Sequence, residues 1–165
     1  MIALKVLEVK AFMGKLFQKN DFDGFLLSEA EVQTAAGYKI NGHRSRSFYT
    51  EEEFAKLPET DFLRWEELKP LVFQMIRGSR TPQQLSVVFR LPGAKLEELR
   101  ESSGARVKPE EIEGAYLNIR FQAGELRLVT AVGYQTFVAD KALEREFDFF
   151  IREFLKAKEL VFEEM

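Results

Sequence analysis

The sequence predicts an α+β fold: an antiparallel sheet of about five to seven strands with helices packed against it, the last of them long and rich in aromatic residues. Three observations carry that reading. Leu85, Val87, Phe89 and Leu91 alternate with Ser86, Val88 and Arg90, and Leu117, Ile119 and Phe121 repeat the pattern before Leu126 and Leu128 resume it, which is the period of half-buried strands. Leu143, Phe147, Phe150, Ile151, Phe154 and Leu155 instead recur at three and four residues, a wide stripe that a helix must lay across a sheet or another helix. The chain's 165 residues, 45% apolar with 16 Phe, suit one domain over residues 1–165 with a substantial core.

In chain order, Leu4 and Val6 alternate with Lys5 and Leu7 as a first strand, and Phe12/Leu16 with Met13/Phe17 then give a short helix by their i,i+4 spacing. Phe25 to Thr34 reads as a strand with Leu26, Ala30 and Val32 on one face and Glu29 and Glu31 on the other. Ala35-Ala36-Gly37 turns it back into Tyr38-Lys39-Ile40. Asn41-Gly42 is a strong short hairpin signal, because both residues tolerate the positive φ of a type I′ turn, so a small meander is expected. Thr50 and Glu53 form a capping box, with Tyr49 and Phe54 as a hydrophobic staple, and Pro58 ends that helix early. Trp65, Leu68, Leu71, Val72, Met75 and Ile76 make an apolar helical stripe that Gly78 is placed to cap, with Pro70 either kinking or beginning the helix. Ala94 to Ser102 is a polar helix ended by Gly104, Ala123-Gly124 permits a turn between two strands, and Asp140 caps the final helix.

A net charge of −3 conceals a division along the chain. Val32 to Thr50 and Leu68 to Leu96 hold no Asp or Glu and total +8, leaving −11 for the rest, and such asymmetry points to where anions settle. With no Cys there is neither a disulfide nor a thiolate metal site. Lys5, Glu8 and Lys10 interrupt the N-terminal apolar run, unlike the core of a signal peptide, and no stretch approaches a membrane span. A cytoplasmic protein without membrane association is expected.

Two basic turns and one strand pair are the candidate anion-binding residues. His43, Arg44 and Arg46 follow Gly42 among serines, where a histidine beside a turn is otherwise simply solvated. Arg77 and Arg80 flank Gly78-Ser79; if this loop faced the first, paired guanidiniums would hold a phosphate, whereas Arg77 alone complements a helix dipole. If Ala123-Gly124 is a two-residue turn, Arg120 lies directly opposite Arg127 on the polar face, and Arg90 joins them if its strand is adjacent. Glu144, Asp148 and Glu153 are the internal carboxylates that would otherwise neutralise these arginines, as would water. Catalytic residues are not indicated: there is no Gly-x-Ser-x-Gly, no Walker A and no dinucleotide glycine pattern, and one His cannot build a metal site. Asp21 and Asp23 begin like a calcium loop that lacks its later acidic ligand. No cofactor or metal is expected.

Lys10-Ala11-Phe12-Met13, Phe22-Asp23-Gly24-Phe25, Ile76 to Pro82, Leu117-Asn118-Ile119 and Asp140-Lys141 together resemble an uncharacterised family of small bacterial cytoplasmic proteins known as a domain of unknown function. That resemblance spans nearly the whole chain and implies no activity for any residue. In the order of its elements alone, without a shared motif, the chain is similar to one domain of a DNA sliding clamp, which implies a basic surface facing DNA. The readings that remain are three. The first is a non-enzymatic binding or interaction domain with a protein or anionic partner. The second is a nucleic-acid or phosphate-binding module, clamp-like in layout, using the basic loops. The third is a small enzyme with an apolar cavity beneath the final helix and Asp140, Lys141 or Tyr134 at its rim.

Overall fold

The alternating segments pair into one seven-stranded antiparallel sheet, which the computed structural model describes with five helices over residues 1–59, 61–78 and 80–165. The strands are β1 (Ala3–Val6), β2 (Leu26–Gln33), β3 (Gly37–Asn41), β4 (Gln84–Arg90), β5 (Ile112–Gln122), β6 (Glu125–Tyr134) and β7 (Phe162–Glu164), in the order β3-β2-β4-β5-β6-β1-β7. The helices are α1 (Val9–Phe17), α2 (Glu51–Ala55), α3 (Trp65–Ile76), α4 (Gly93–Ser103) and the aromatic-rich α5 (Ala142–Ala157). Every strand pair is antiparallel, and over the regular stretches of the sheet one face collects Leu4, Val32, Leu85, Phe121 and Leu126, and with them Ala30, Val87, Ile119 and Leu128, all buried. The other face, left uncovered along β5 and β6, carries Asn118, Arg120 and Arg127.

The buried face is closed by aromatic packing. Trp65, at the start of α3, is fully buried; its ring meets Phe89 edge-on at 5.2 Å and its indole N–H donates to the Leu16 carbonyl at 3.0 Å, so its polar atom is satisfied where water cannot reach. From α5, Leu143, Phe147, Ile151 and Leu155 are buried as the stripe requires, each contributing about 1.5–3 kcal/mol of transfer free energy. The same helix brings one carboxylate inside. Asp148 accepts a hydrogen bond from the Thr130 hydroxyl of β6 and lies 3.0 Å from the amino group of Met1, and these partners offset the cost of its desolvation.

Three local expectations fail for physical reasons. Asn41-Gly42 is no hairpin turn: β3 ends at Asn41, and the chain runs on beside residues 61–64, with the Leu63 amide donating to the Gly42 carbonyl and the Leu27 amide to the Leu63 carbonyl. Glycine is required there because a Cβ on Gly42 would stand 1.8 Å from the Leu27 carbonyl oxygen. Leu26 does not share a face with Ala30 and Val32, since a bulge between Leu27 and Glu29 shifts the register and gives Leu27 the core position. Leu26 instead pairs with Arg90 toward the other face. Gly78 is not the residue that closes α3; Arg77 caps it in extended conformation, its amide donating to Phe73. Pro70 lies inside α3, where it removes the donor that the Glu66 carbonyl would otherwise receive.

Other local signals hold. Thr50 Oγ1 accepts from the Glu53 amide at 3.1 Å while Glu53 accepts from the Thr50 amide at 2.9 Å, and Tyr49 packs on Phe54. Ala123 and Gly124, with φ of 53° and 77°, form the two-residue turn between β5 and β6.

Gly42→Ala is expected to lower unfolding stability by about 3 kcal/mol, because the Leu27 backbone must move to admit one methyl group. Ala123→Asn is expected to raise it by about 0.5–1 kcal/mol by relieving a left-handed alanine. Urea denaturation of both variants checks the two signs.

Candidate functional site

The two-residue turn sets the register that matters most: Arg120 stands directly opposite Arg127, and Arg127 opposite Lys5 of β1, so three cations form a row across neighbouring strands. In such a row facing residues are about 4.5–5.5 Å apart at Cα, and like charges repel unless an anion intervenes. One carboxylate serves the row. Glu125 accepts from Arg127 at 2.7 Å and lies 3.8 Å from Lys5, and those two cations hold its carboxyl below the usual range. Arg120 is exposed and has no hydrogen-bond or ion-pair partner among the described residues. Arg120, Gln122, Ala123, Glu125 and Arg127 border a hollow of about 450 Å³ on this face. Glu144, Asp148 and Glu153 do not neutralise these arginines: they belong to α5, across the sheet, where Glu144 and Glu153 face lysines of their own helix.

Arg90 lies on the same open face but does not join the row. Ser86, not Arg90, faces Arg120, and Arg90 faces Tyr116, about 13 Å further along at 3.3 Å per residue. Its guanidinium sits 4.5 Å from the Phe62 ring centroid and donates to the Tyr116 hydroxyl at 3.0 Å. His43 is brought to the same place, its ring 4.5 Å from that of Phe62. Burial raises the Tyr116 phenol despite the attraction of Arg90, and its hydroxyl donates to Glu113 at 3.1 Å. His43 and Arg90 therefore share an aromatic neighbour.

The two basic loops do not converge. Arg44 is buried, its guanidinium paired with both Glu67 carboxylate oxygens at 3.2 and 3.0 Å and donating to Tyr49 Oη at 2.9 Å and to the Phe62 carbonyl. It braces the loop against α3 and offers nothing to a ligand. Arg46 lies over the Phe54 ring at 3.8 Å. Arg77 and Arg80 are exposed beyond the other end of α3, Arg77 ten residues from Glu67 and so about 15 Å away at 1.5 Å per residue. Ser79, in that second loop, lies outside the described residues.

Beneath α5 there is a cleft of about 280 Å³, walled by Phe25, Leu91, Pro92, Phe150 and Phe154 with Gly24 between them. Its rim is Asp21 and Lys95 in place of Asp140, Lys141 and Tyr134. Asp140 instead accepts from the amides of Arg106 and Ala142, and the Tyr134 phenol is pushed up to about 12 by burial and by the Glu144 and Asp140 carboxylates. Among the described residues no three His, Asp or Glu side chains are grouped to hold a metal ion, and no helix is long and apolar enough to cross a membrane.

Sequence reasoning missed Glu67, Lys5, Glu125 and Phe62. Lys5 and Glu125 were accessible in principle, since polar positions of paired strands meet once strand order is known, whereas the Arg44–Glu67 pair spans 23 residues without a periodic signal. Burial works to raise the Glu67 carboxyl, but hydrogen bonds from Arg44 and the Arg64 amide outweigh it and hold the group below its ordinary 4.5. Its contribution to stability is therefore full above about pH 4.5 and is lost as pH falls through the lower folded value. Glu67→Gln is expected to cost about 1–3 kcal/mol at neutral pH, and the gap from the parent protein should narrow in acid. Thermal melts at neutral pH and near pH 3.5 measure both effects.

A search of curated proteins and a search of solved structures each returned no match. A family model matches residues 15–163, from the last turn of α1 to β7, so Arg120 and Arg127, the buried Arg44–Glu67 pair and the cleft lie within it, while Lys5 of β1 does not. The chain thus belongs to a family of unknown function, DUF5721.

Proposed function

We propose that this protein is a non-enzymatic binding domain that receives a phosphate-bearing ligand such as nucleic acid on the open face of its sheet. The observation that carries the reading is Arg120, exposed, opposite Arg127, and without a counter-ion among the described residues. Like charges in register destabilise a strand pair, so an arrangement that keeps them is one an anion relieves. The hollow beside them, at about 450 Å³, falls within the roughly 300–1,000 Å³ of ligand sites. A guanidinium engages phosphate through two parallel N–H donors, and two facing guanidiniums with Lys5 behind them suit a phosphate better than a compact cation.

The flanking residues shape what binds. Glu29 and Glu31 on β2 and Glu163 on β7 border the cationic row on either side, so the favourable field is confined to a strip along β5, β6 and β1. A strip that narrow matches one strand of a backbone in place of a broad anionic surface. At its far end Arg90, over the buried Phe62 ring and hydrogen-bonded to Tyr116, adds a further cation on the same open face.

Fluorescence anisotropy with a labelled single-stranded oligonucleotide, at about 50 and 200 mM salt, tests this, since phosphate contacts weaken steeply as salt rises. The Arg120→Ala/Arg127→Ala double variant is expected to bind about tenfold more weakly at low salt and to show a salt slope smaller by about two. Absence of binding at low salt, or unchanged binding by the double variant, removes the proposal.

A further inference from the structure

The cleft beneath α5 is separate from the open face: its walls come from the helix layer and from the residues that enter β2 and leave β4. Phe25 stacks on Phe89 at 5.2 Å and meets Phe154 edge-on at 5.4 Å, and Phe150 lies 6.2 Å from Phe154, so three of its walls are aromatic rings already fixed by their neighbours. Pockets for drug-sized ligands occupy about 300–1,000 Å³, and at about 280 Å³ this one accommodates a single or fused ring and little more. Preset aromatic walls favour a flat apolar guest, because rings pack edge-on or offset without reordering the host.

The rim gives the guest its charge. Lys95 Nζ lies 4.9 Å from the Phe150 centroid and Lys158 Nζ 5.5 Å from that of Phe154, placing an ammonium against each of two wall rings. The one carboxylate among the lining residues, Asp21, is 3.8 Å from Lys158. Among the described residues Lys95 is ion-paired only to Glu98, an exposed i,i+3 partner, and exposed pairs of that kind contribute about 0–1 kcal/mol, so the ammonium is released to a ligand at small cost. With Asp21 held by Lys158, Lys95 is the lining cation that an anionic group meets. The α4 helix also begins at this rim, at Pro92, with neither a side-chain cap nor an acidic residue in its first turn.

We infer that this cleft binds a small aromatic carboxylate, its ring between Phe25, Phe150 and Phe154 and its carboxylate at Lys95. Gly24 lines the cleft, and a Cβ there meets no atom within 4 Å, so a larger side chain can be introduced beside the guest without disturbing the walls.

The probe is 2-naphthoate, titrated into the ¹⁵N-labelled protein and followed by amide chemical shifts, with neutral 2-naphthylmethanol as the comparison. Saturable shifts are expected at residues 24, 25, 91, 95, 150 and 154. Lys95→Met should weaken naphthoate about three- to tenfold and leave the alcohol unchanged. Gly24→Leu should weaken both by about tenfold or more while the remaining spectrum stays that of the parent. Shifts confined to other residues, or none up to the solubility limit, overturn the inference. So does Lys95→Met binding naphthoate as the parent does, which holds whether or not Gly24→Leu folds. Equal affinity for the acid and the alcohol overturns the anionic assignment.

Discussion

Everything in this molecule follows from the two-residue period of its sheet, because one face must be hidden whole and every intervening side chain is then sent to the other. Leu126 and Leu128 cannot enter the core unless Arg127 leaves it, and Phe121 and Ile119 impose the same on Arg120. A slip of one residue would bury both guanidiniums and expose two leucines, so the apolar set that stabilises the fold also fixes the cations in register. The charged row is a by-product of packing in its origin and a solvent-facing feature in its geometry. No further energy is needed to assemble it, since the repulsion is outweighed by core burial that would be made in any case.

Where the period breaks, the structure uses the irregularity. The bulge after Leu27 lets that residue take the core position and turns Leu26 toward the opposite face. Residues 61–64 then run beside Leu27 and Gly42, hydrogen-bonded to both, while the Leu27 carbonyl itself comes so close to Gly42 that position 42 carries no side chain. The same passage sets Phe62 between His43 and Arg90 and puts Glu67 within reach of Arg44. A backbone contact no larger than one missing methyl group thereby organises both the buried ion pair and the aromatic end of the open face.

The sequence made legible what is local and periodic: the Thr50 capping box, the Ala123-Gly124 turn with Arg120 opposite Arg127, and the stripe of α5. It misled at Asn41-Gly42, where the residue types suit a hairpin but the reason for glycine is a carbonyl 15 residues upstream. Nor did it separate the fates of its arginines. Arg44 sits in a basic turn of an acid-free stretch and Arg120 on an alternating strand outside both such stretches, yet it is Arg44 that Glu67, Tyr49 and a carbonyl enclose and Arg120 that stands without a counter-ion among the described residues. Acid-free stretches mark regions of positive field; they do not say which cations are already neutralised within the fold.

That distinction decides what a ligand can use. An anion approaching Arg44 would have to replace a carboxylate that already makes two hydrogen bonds to a guanidinium out of contact with water, and it would leave Glu67 unpaired. At the open face the competition is different in kind. Glu125 holds Arg127 and touches Lys5 only at 3.8 Å, and its reach ends before Arg120. Under the proposed reading, an incoming phosphate would first meet the exposed Arg120 guanidinium and would then share Arg127 with Glu125 without displacing it, because one guanidinium has donors for both. Exposure keeps the desolvation cost of that step low, and the like charge directly opposite keeps the unliganded row at a disadvantage. The affinity of such a site is therefore governed by the pair in register and its screening by salt, not by the net charge of the chain.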